Sequence, residues 1–269
     1  MGDVNLSPAP VFDLLAGKRT LLIGADTGAL AETLWLGAGG DVHTVCEEDA
    51  PTIQLDRRFD VAVIMASEGD EGLRRSLTHC AVQHLARQGH LVVVHEPQES
   101  PLCSGFRGDD FHAVYQGPVG KATVSVFIRS DRTTVHDLLY DARATIRRVT
   151  AHELFSQLGS AAPPLVLDTR TQTDRGRFGV IPGCVHVPRT VVEWHLDPAN
   201  GYLHPAMQSF DQPLVVVCNS GYSSSLAAAN LVRIGFRHAA DLVGGHAAWC
   251  AAGLPVERAD HSHLDTPTT

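Results

Sequence analysis

The sequence predicts an α/β protein of two domains: a doubly wound parallel sheet, then a second domain with its own central parallel sheet. Three observations predict it. Short apolar runs alternate with helix-periodic segments through the first half, the order that builds parallel sheets covered by helices. Around residues 131–145 the composition turns polar and charged, and a new strand-and-helix start follows. Toward the C-terminus, an all-apolar, β-branched run from Val215 to Val217 leads into a cysteine, a glycine-containing loop and an alanine-rich helix. A length of 269 residues accommodates two ordinary domains.

In the first domain, residues 1–130, residues 18–24 read as a buried strand, residues 27–36 as a helix and residues 41–48 as a second strand. Together they make a βαβ unit. Residues 59–65 give a third strand. Residues 71–87 place Leu73, Leu77, Ala81 and Leu85 on one helical face, and residues 90–95 give a fourth strand. Only about ten residues join Asp49, near the end of the second strand, to Phe59. That is too short for a helix and a further strand of a parallel crossover.

Residues 131–145 read as a linker holding a short helix. The second domain, residues 146–269 with a polar tail, starts at Ile146. Thr150 and Glu153 form a Thr-x-x-Glu capping box for a helix to Leu158, which Gly159, Pro163 and Pro164 end. Asp168 and Arg170 close a buried strand, where charged groups face solvent or pair with one another; pairing is the more economical arrangement. Trp194 and Trp249 read as core or lid aromatics.

Cys218 ends the strand that follows Pro213. Gly221 permits a tight turn, and Leu226, Asn230, Leu231 and Ile234 keep helical spacing up to Gly235. The thiol therefore sits between a strand end and a helix start. There, loop amides and the helix dipole favour an anion and draw a thiol pKa of about 8.5 downward. A buried structural cysteine is the competing reading, since free cysteine is among the most buried residue types; the polar loop argues against it. Cys218 is accordingly the candidate nucleophile. Asn219, Ser220, Gly221, Tyr222, Ser223 and Ser224 form the candidate anion-binding loop.

Composition narrows the partners. The net charge of −9 and the absence of a clustered Lys/Arg run argue against nucleic acid or an anionic membrane. The N-terminus has no basic stretch leading into an apolar one, and Leu6 stands where a myristoylation signal has Ser or Thr. No apolar run approaches the roughly 18 to 20 residues that span a bilayer, so a cytoplasmic protein is expected. Six cysteines show no Cys-x-x-Cys spacing and 15 histidines are scattered. No metal is expected, and most of the other cysteines are expected to be buried and inert.

Several motifs then occur in one order. Asp168-Thr-Arg170 follows Leu165-Val-Leu, and Ile181-Pro-Gly183 precedes a short strand ending at Pro188. Cys218-Asn-Ser-Gly-Tyr-Ser-Ser224 is followed by Asp241-Leu-Val-Gly-Gly245, Trp249 and Gly253-Leu-Pro255. Residues 146–258 thereby resemble a rhodanese domain. The resemblance implies a ping-pong sulfurtransferase in which Cys218 takes sulfane sulfur from thiosulfate or a persulfide. It then passes the sulfur to cyanide or to a thiol, small or borne on a protein. It places Asp168 and Arg170 beside the catalytic loop and makes Cys184 structural. The family often carries Arg at the fifth place after the cysteine, which is Ser223 here, so the preference for dianionic thiosulfate is put in question. Arg189, directly after Val187-Pro188, is the candidate to supply the missing positive charge, with Arg170 second.

The first half is similar to a class I S-adenosylmethionine-dependent methyltransferase. Gly24 and Gly28 would be its glycine-rich turn, Glu47 or Glu48 its ribose-binding acid, and residues 111–115 and 122–128 its closing antiparallel pair. The resemblance implies a Rossmann-like sheet. Asp26 replaces the middle glycine of the turn, and the short 49–59 connection removes the element that bears the adenine-contacting acid. A retained scaffold without cofactor, binding S-adenosylmethionine weakly or not at all, is therefore expected. Two function classes remain open: an enzyme moving sulfur through Cys218, and an interaction protein joining a worn methyltransferase fold to a sulfur-responsive module. A bifunctional chain with residual S-adenosylmethionine binding is a variant of the first.

Overall fold

A computed structural model describes residues 15–24, 40–53, 55, 57–65, 71–95, 97, 110–119, 122–201 and 203–259. The expected helix at 27–36, together with Asp26, Gly28, the N-terminal residues and most of the polar tail, lies outside them. The chain divides into two compact units, Met1–Asp137 and Leu138–Thr269.

The first unit contains β1 (Thr20–Gly24), β2 (Val42–Val45), β3 (Phe59–Met65), α1 (Glu71–His84), β4 (Leu85–His95), β5 (Phe111–Val119) and β6 (Ala122–Arg129). The strand order is β2-β1-β3-β4-β6-β5. The first four strands are parallel and β6 runs antiparallel to both β4 and β5, so the sheet is mixed. β1 is buried throughout because both of its faces are used: Leu21 and Ile23 pack with Leu77 and Ala81 of α1, while Leu22 packs with Val61 and Val92 on the other side.

The helix expected to reach residue 87 stops at His84. Leu85 continues the apolar spacing, but it pairs with Phe59 as the first residue of β4. Side chains meet carbonyls around this helix end: the His84 imidazole meets the Cys80 carbonyl at 2.8 Å, and Arg58 donates to the carbonyls of Gln83, in the last helical turn, and Leu85, just beyond it. β2 ends at Val45, earlier than expected, and Glu47 and Glu48 lie in the turn after it. From there the chain crosses β1 to reach β3. Among the described residues this crossing holds turns and no strand or helix, with Ala50, Ile53 and Leu55 set against the core.

α2 (Val135–Arg143) straddles the division between the units. Its Asp137 is buried and paired with Arg58 at 2.8 Å and with Arg129. Burial opposes the ionised carboxylate, but hydrogen bonds from Arg129 and Thr134 prevail and hold its pKa at about 2. Removing one member of such a buried pair typically costs about 3–5 kcal/mol, so Asp137 is held firmly within the first unit.

The second unit adds β7 (Arg147–Val149), α3 (Ala151–Leu158), β8 (Leu165–Asp168), α4 (Gln172–Phe178), β9 (Val185–His186), α5 (Val192–Leu196), β10 (Leu214–Val217), α6 (Ser223–Arg233), β11 (Ala239–Leu242) and α7 (Gly245–Ala251). Its sheet, β7-β11-β10-β8-β9, is parallel throughout. The capping box forms in both directions: Thr150 Oγ1 accepts the Glu153 amide and Glu153 Oε2 accepts the Thr150 amide. β10 is central and wholly buried. Leu214 and Val216 face Leu196, Ala228 and Leu231, while Val215 and Val217 face Leu154 and Trp249. A strand covered on both faces carries its functional residue at its C-terminal end, where the loops gather.

The two tryptophans divide, and the expectation that most of the other cysteines are buried fails. Trp249 is a core residue, but Trp194 is 59% exposed, because the five residues of α5 bury Val192 and Leu196 and turn the indole outward. Cys46 and Cys250 are exposed rather than buried. Cys80 is buried as expected, and burial pushes its thiol up to about 11.

Candidate active site

β10 delivers Cys218 into a short loop that α6 continues. The cysteine is 7% exposed, whereas Asn219, Ser220 and Tyr222 are open to solvent. The Gly221 amide donates to Sγ at 3.2 Å, and the Ser224 hydroxyl lies 3.2 Å from the same sulfur. Burial by itself would raise the thiol pKa. Hydrogen bonds from the Ser224 and Ser223 hydroxyls and the Ser224 and Ser220 amides outweigh it and leave Cys218 below the ordinary thiol value. α6 has no side-chain cap, so its first-turn amides are left to the loop.

The loop is held from below. Gly221 has φ +73°, and a Cβ there would stand 2.8 Å from the Gly244 amide nitrogen. Gly245 has φ +62°, and its Cβ would stand 2.4 Å from the Cys218 carbonyl oxygen. That close approach lets the His246 amide donate to the Cys218 carbonyl at 2.8 Å and the Ala247 amide to Asn219 at 3.0 Å. Arg143 Nη2 donates to the Gly221 carbonyl at 2.9 Å. The Ser225 hydroxyl lies 3.1 Å from that carbonyl and 2.6 Å from Asp241 Oδ2. Asp241 is fully buried and pairs with Arg148 Nε at 2.9 Å, its register partner on β7. These contacts fix the plane of the Gly221–Tyr222 peptide.

Asp168 stands beside Val217 in the β8–β10 register. It accepts Arg170 Nε at 2.9 Å, Arg170 Nη2 at 2.7 Å and Arg175 Nε at 3.2 Å. Burial opposes its charge, and the Arg170 hydrogen bonds still carry its pKa below the usual carboxylate range. Arg170 also reaches the Gly179 carbonyl at 2.8 Å. Burial and the nearby Arg170 cation lower His246 to about 4, so its imidazole is neutral at pH 7. Cys184 is half-buried, and burial raises its thiol. Arg189 is engaged elsewhere, bonding both Glu193 oxygens at 3.1 Å, while Glu193 also accepts from Asn230 at 2.8 Å.

Sequence reasoning missed Arg143, Asp174, Ser225 and the Arg148–Asp241 pair. Arg143 fell in the segment read as a linker. Arg148 and Asp241 did leave a signal, each a charge inside an apolar strand. Asp174 Oδ2 accepts Asn219 Nδ2 at 3.0 Å, a contact across the loop with no sequence pattern behind it.

In the first unit, Gly24 ends β1 with φ +136°, and a Cβ would stand 2.3 Å from the Met65 carbonyl oxygen. The approach of β3 therefore requires glycine there, whatever the turn beyond it holds. Glu47 and Glu48 open the turn after β2. Among the described residues, no group of three or more His, Cys, Asp or Glu side chains is arranged to hold a metal ion, and no helix is long and apolar enough to cross a membrane.

Residues 150–252 match the rhodanese-like domain family. A thiosulfate sulfurtransferase, GlpE of Haemophilus influenzae, is 33% identical over 66 residues, which cover 24% of this chain and 63% of that protein. The chain thus spans less than two thirds of that relative's length. A sulfurtransferase of Allochromatium vinosum is 29% identical over 111 residues, covering 41% of this chain and 94% of the relative. A solved structure from Rhodopseudomonas palustris, described as a protein of unknown function and possible tyrosine phosphatase, is 29% identical. It covers 48% of this chain and 98% of its own, with a TM-score of 0.45. The family match coincides with the unit that carries the Cys218 loop: residues 150–252 of this chain are a rhodanese-like domain.

Proposed function

We propose that the chain is a sulfurtransferase that carries sulfane sulfur on Cys218. The observation that carries this reading is a single thiol, nearly closed to solvent, held below its ordinary pKa by amide and hydroxyl donors at the end of a buried parallel strand. The Cys218 thiolate attacks the outer sulfur of the donor and a new S–S bond forms. With thiosulfate, the old S–S bond breaks and sulfite leaves with the electron pair. With a persulfide R–S–SH, the thiolate R–S⁻ leaves and takes the proton. The terminal persulfide sulfur is anionic and meets the same donors, a preorganised stabilisation of the intermediate. An acceptor thiolate or cyanide then removes it and restores the Cys218 thiolate.

The names of the Haemophilus and Allochromatium relatives agree with this reaction class. Phosphate-ester hydrolysis fits less well, because the loop from Asn219 to Ser224 contains no Arg to clamp a phosphate dianion. Incubation with thiosulfate or cysteine persulfide is expected to add the mass of one sulfur to the intact chain, and cyanide is expected to remove it. A chain whose mass stays unchanged with both donors would contradict the reading.

We read the first unit as a methyltransferase-type sheet kept as a scaffold without cofactor. Its strand order supports this: four parallel strands end in an antiparallel pair, with β6 inserted between β4 and β5, and the crossing from β2 to β3 holds no strand among the described residues. Calorimetric titration of the full chain with S-adenosylmethionine is expected to show no saturable heat up to millimolar ligand. Micromolar binding would overturn the scaffold reading.

A further inference from the structure

We propose that Asp174, acting through Asn219, sets the donor preference of the Cys218 site against dianionic thiosulfate and toward persulfides that carry an ammonium group. The proposal rests on the sulfurtransferase reading and names the donor class for that same site.

Asn219 is the residue next to the nucleophile, exposed at the loop surface. Its side-chain amide donates to Asp174 Oδ2 at 3.0 Å, and the Thr171 hydroxyl donates to the same oxygen at 2.8 Å. These two bonds hold the carboxylate ionised beside the loop, with the Asn219 bond the larger influence. Asp174 sits in the first turn of α4, whose N-cap is Thr171, so its backbone is fixed as well as its side chain.

Two cations act on Asp174 electrostatically, Arg170 and Arg177, and each makes its closest contacts with another group. Arg170 is bound to Asp168 and to the Gly179 carbonyl. The Arg177 guanidinium lies over the Phe178 ring at 5.0 Å from its centre. The loop from Asn219 to Ser224 contains no cationic side chain, and Arg189 is paired with Glu193. A donor approaching past Asn219 therefore meets the Asp174 carboxylate, held by the Asn219 and Thr171 hydrogen bonds, in a field that the Arg170 and Arg177 cations weaken without pairing with it.

The consequences differ by donor. Thiosulfate brings two negative charges that Asp174 repels. Cysteine persulfide presents its sulfane sulfur on a short zwitterion, whose ammonium group complements the carboxylate. One unit charge facing a dianion across a side chain's length gives roughly a tenfold effect in a near-aqueous dielectric at low salt.

Asp174→Asn tests this. It is isosteric, and its carbonyl still accepts the Asn219 and Thr171 hydrogen bonds. At about 10 mM salt, where screening is weak, the ratio of kcat/KM for thiosulfate to that for cysteine persulfide is expected to rise about tenfold. The rise should collapse in about 0.5 M salt. Asp174→Glu, which keeps the charge, is expected to retain the native ratio. A purely structural role would lower both specificity constants together and leave the ratio unmoved, and that result would overturn the assignment. If the native chain accepts sulfur from neither donor, the sulfurtransferase reading falls instead, so the two failures are distinguishable.

Discussion

Cys218→Ser is expected to abolish sulfur uptake and to lower turnover by about three orders of magnitude or more, the scale on which nucleophile removal usually acts. A serine hydroxyl ionises far above any pH the chain tolerates, so donors that suffice for a thiolate leave it neutral. The fold should survive. The Cys218 backbone is held by the His246 amide and by β10, and neither depends on sulfur. Circular dichroism unchanged from the native chain, together with absent thiosulfate:cyanide activity, is the expected pair of results. Turnover retained in Cys218→Ser and lost in Cys184→Ser would move the chemistry to the other thiol on this unit's β8–β9 side.

Arg143→Met should have the next largest effect. It is expected to lower kcat/KM by about tenfold to a hundredfold, below the cost of deleting a donor that touches the anion directly. The reason is indirect. Arg143 Nη2 anchors the Gly221 carbonyl at 2.9 Å, and its guanidinium lies 5.8 Å from the centre of the Tyr222 ring. Releasing it loosens the peptide planes that aim loop amides at sulfur, and the thiolate loses stabilisation. A thiol whose pKa was lowered by those donors then titrates at higher pH. Since the thiolate fraction rises with pH, the acidic limb of the kcat/KM profile should move upward in the variant. Arg143→Lys retains a charge but only a point donor and should recover part of the loss. An unchanged profile in Arg143→Met would remove this residue from the loop's support.

Much of the second unit could be read from its residues. Val215 to Val217, all apolar and β-branched, had to be covered on both faces, and the helix spacing after Gly221 left Cys218 only the strand end to occupy. The capping box at Thr150 and Glu153 was local enough to be visible in four residues. What escaped were side chains whose partners lie far along the chain. Arg143 meets Gly221 across 78 residues and Asp174 meets Asn219 across 45. No periodicity encodes such pairs. Arg189 was legible as a cation near a strand end, but helical spacing gives it Glu193 as an i,i+4 partner, and that local pair holds it.

The first unit was legible in its alternation of strands and helices and less so in its boundaries. Leu85 satisfies both the helical spacing of α1 and the pleat of β4, so pattern alone assigned it to the wrong element. The capping of α1 by His84 and Arg58 decided the matter. Gly24 carried a different lesson. It was read as part of a ligand-binding turn, yet the Met65 carbonyl of β3 demands a glycine there on steric grounds. That packing reason by itself accounts for a glycine at this position.

The central claim is that one thiol of this chain, Cys218, is the sulfur carrier. The direct measurement is peptide-level mass spectrometry of the full native chain after brief exposure to limiting cysteine persulfide, with all thiols then trapped by an alkylating agent. The account predicts an extra sulfur on the peptide containing Cys218, removed by cyanide, while the peptides containing the exposed Cys46 and Cys250 stay unmodified. Sulfur distributed over those exposed cysteines in preference to Cys218 would contradict it.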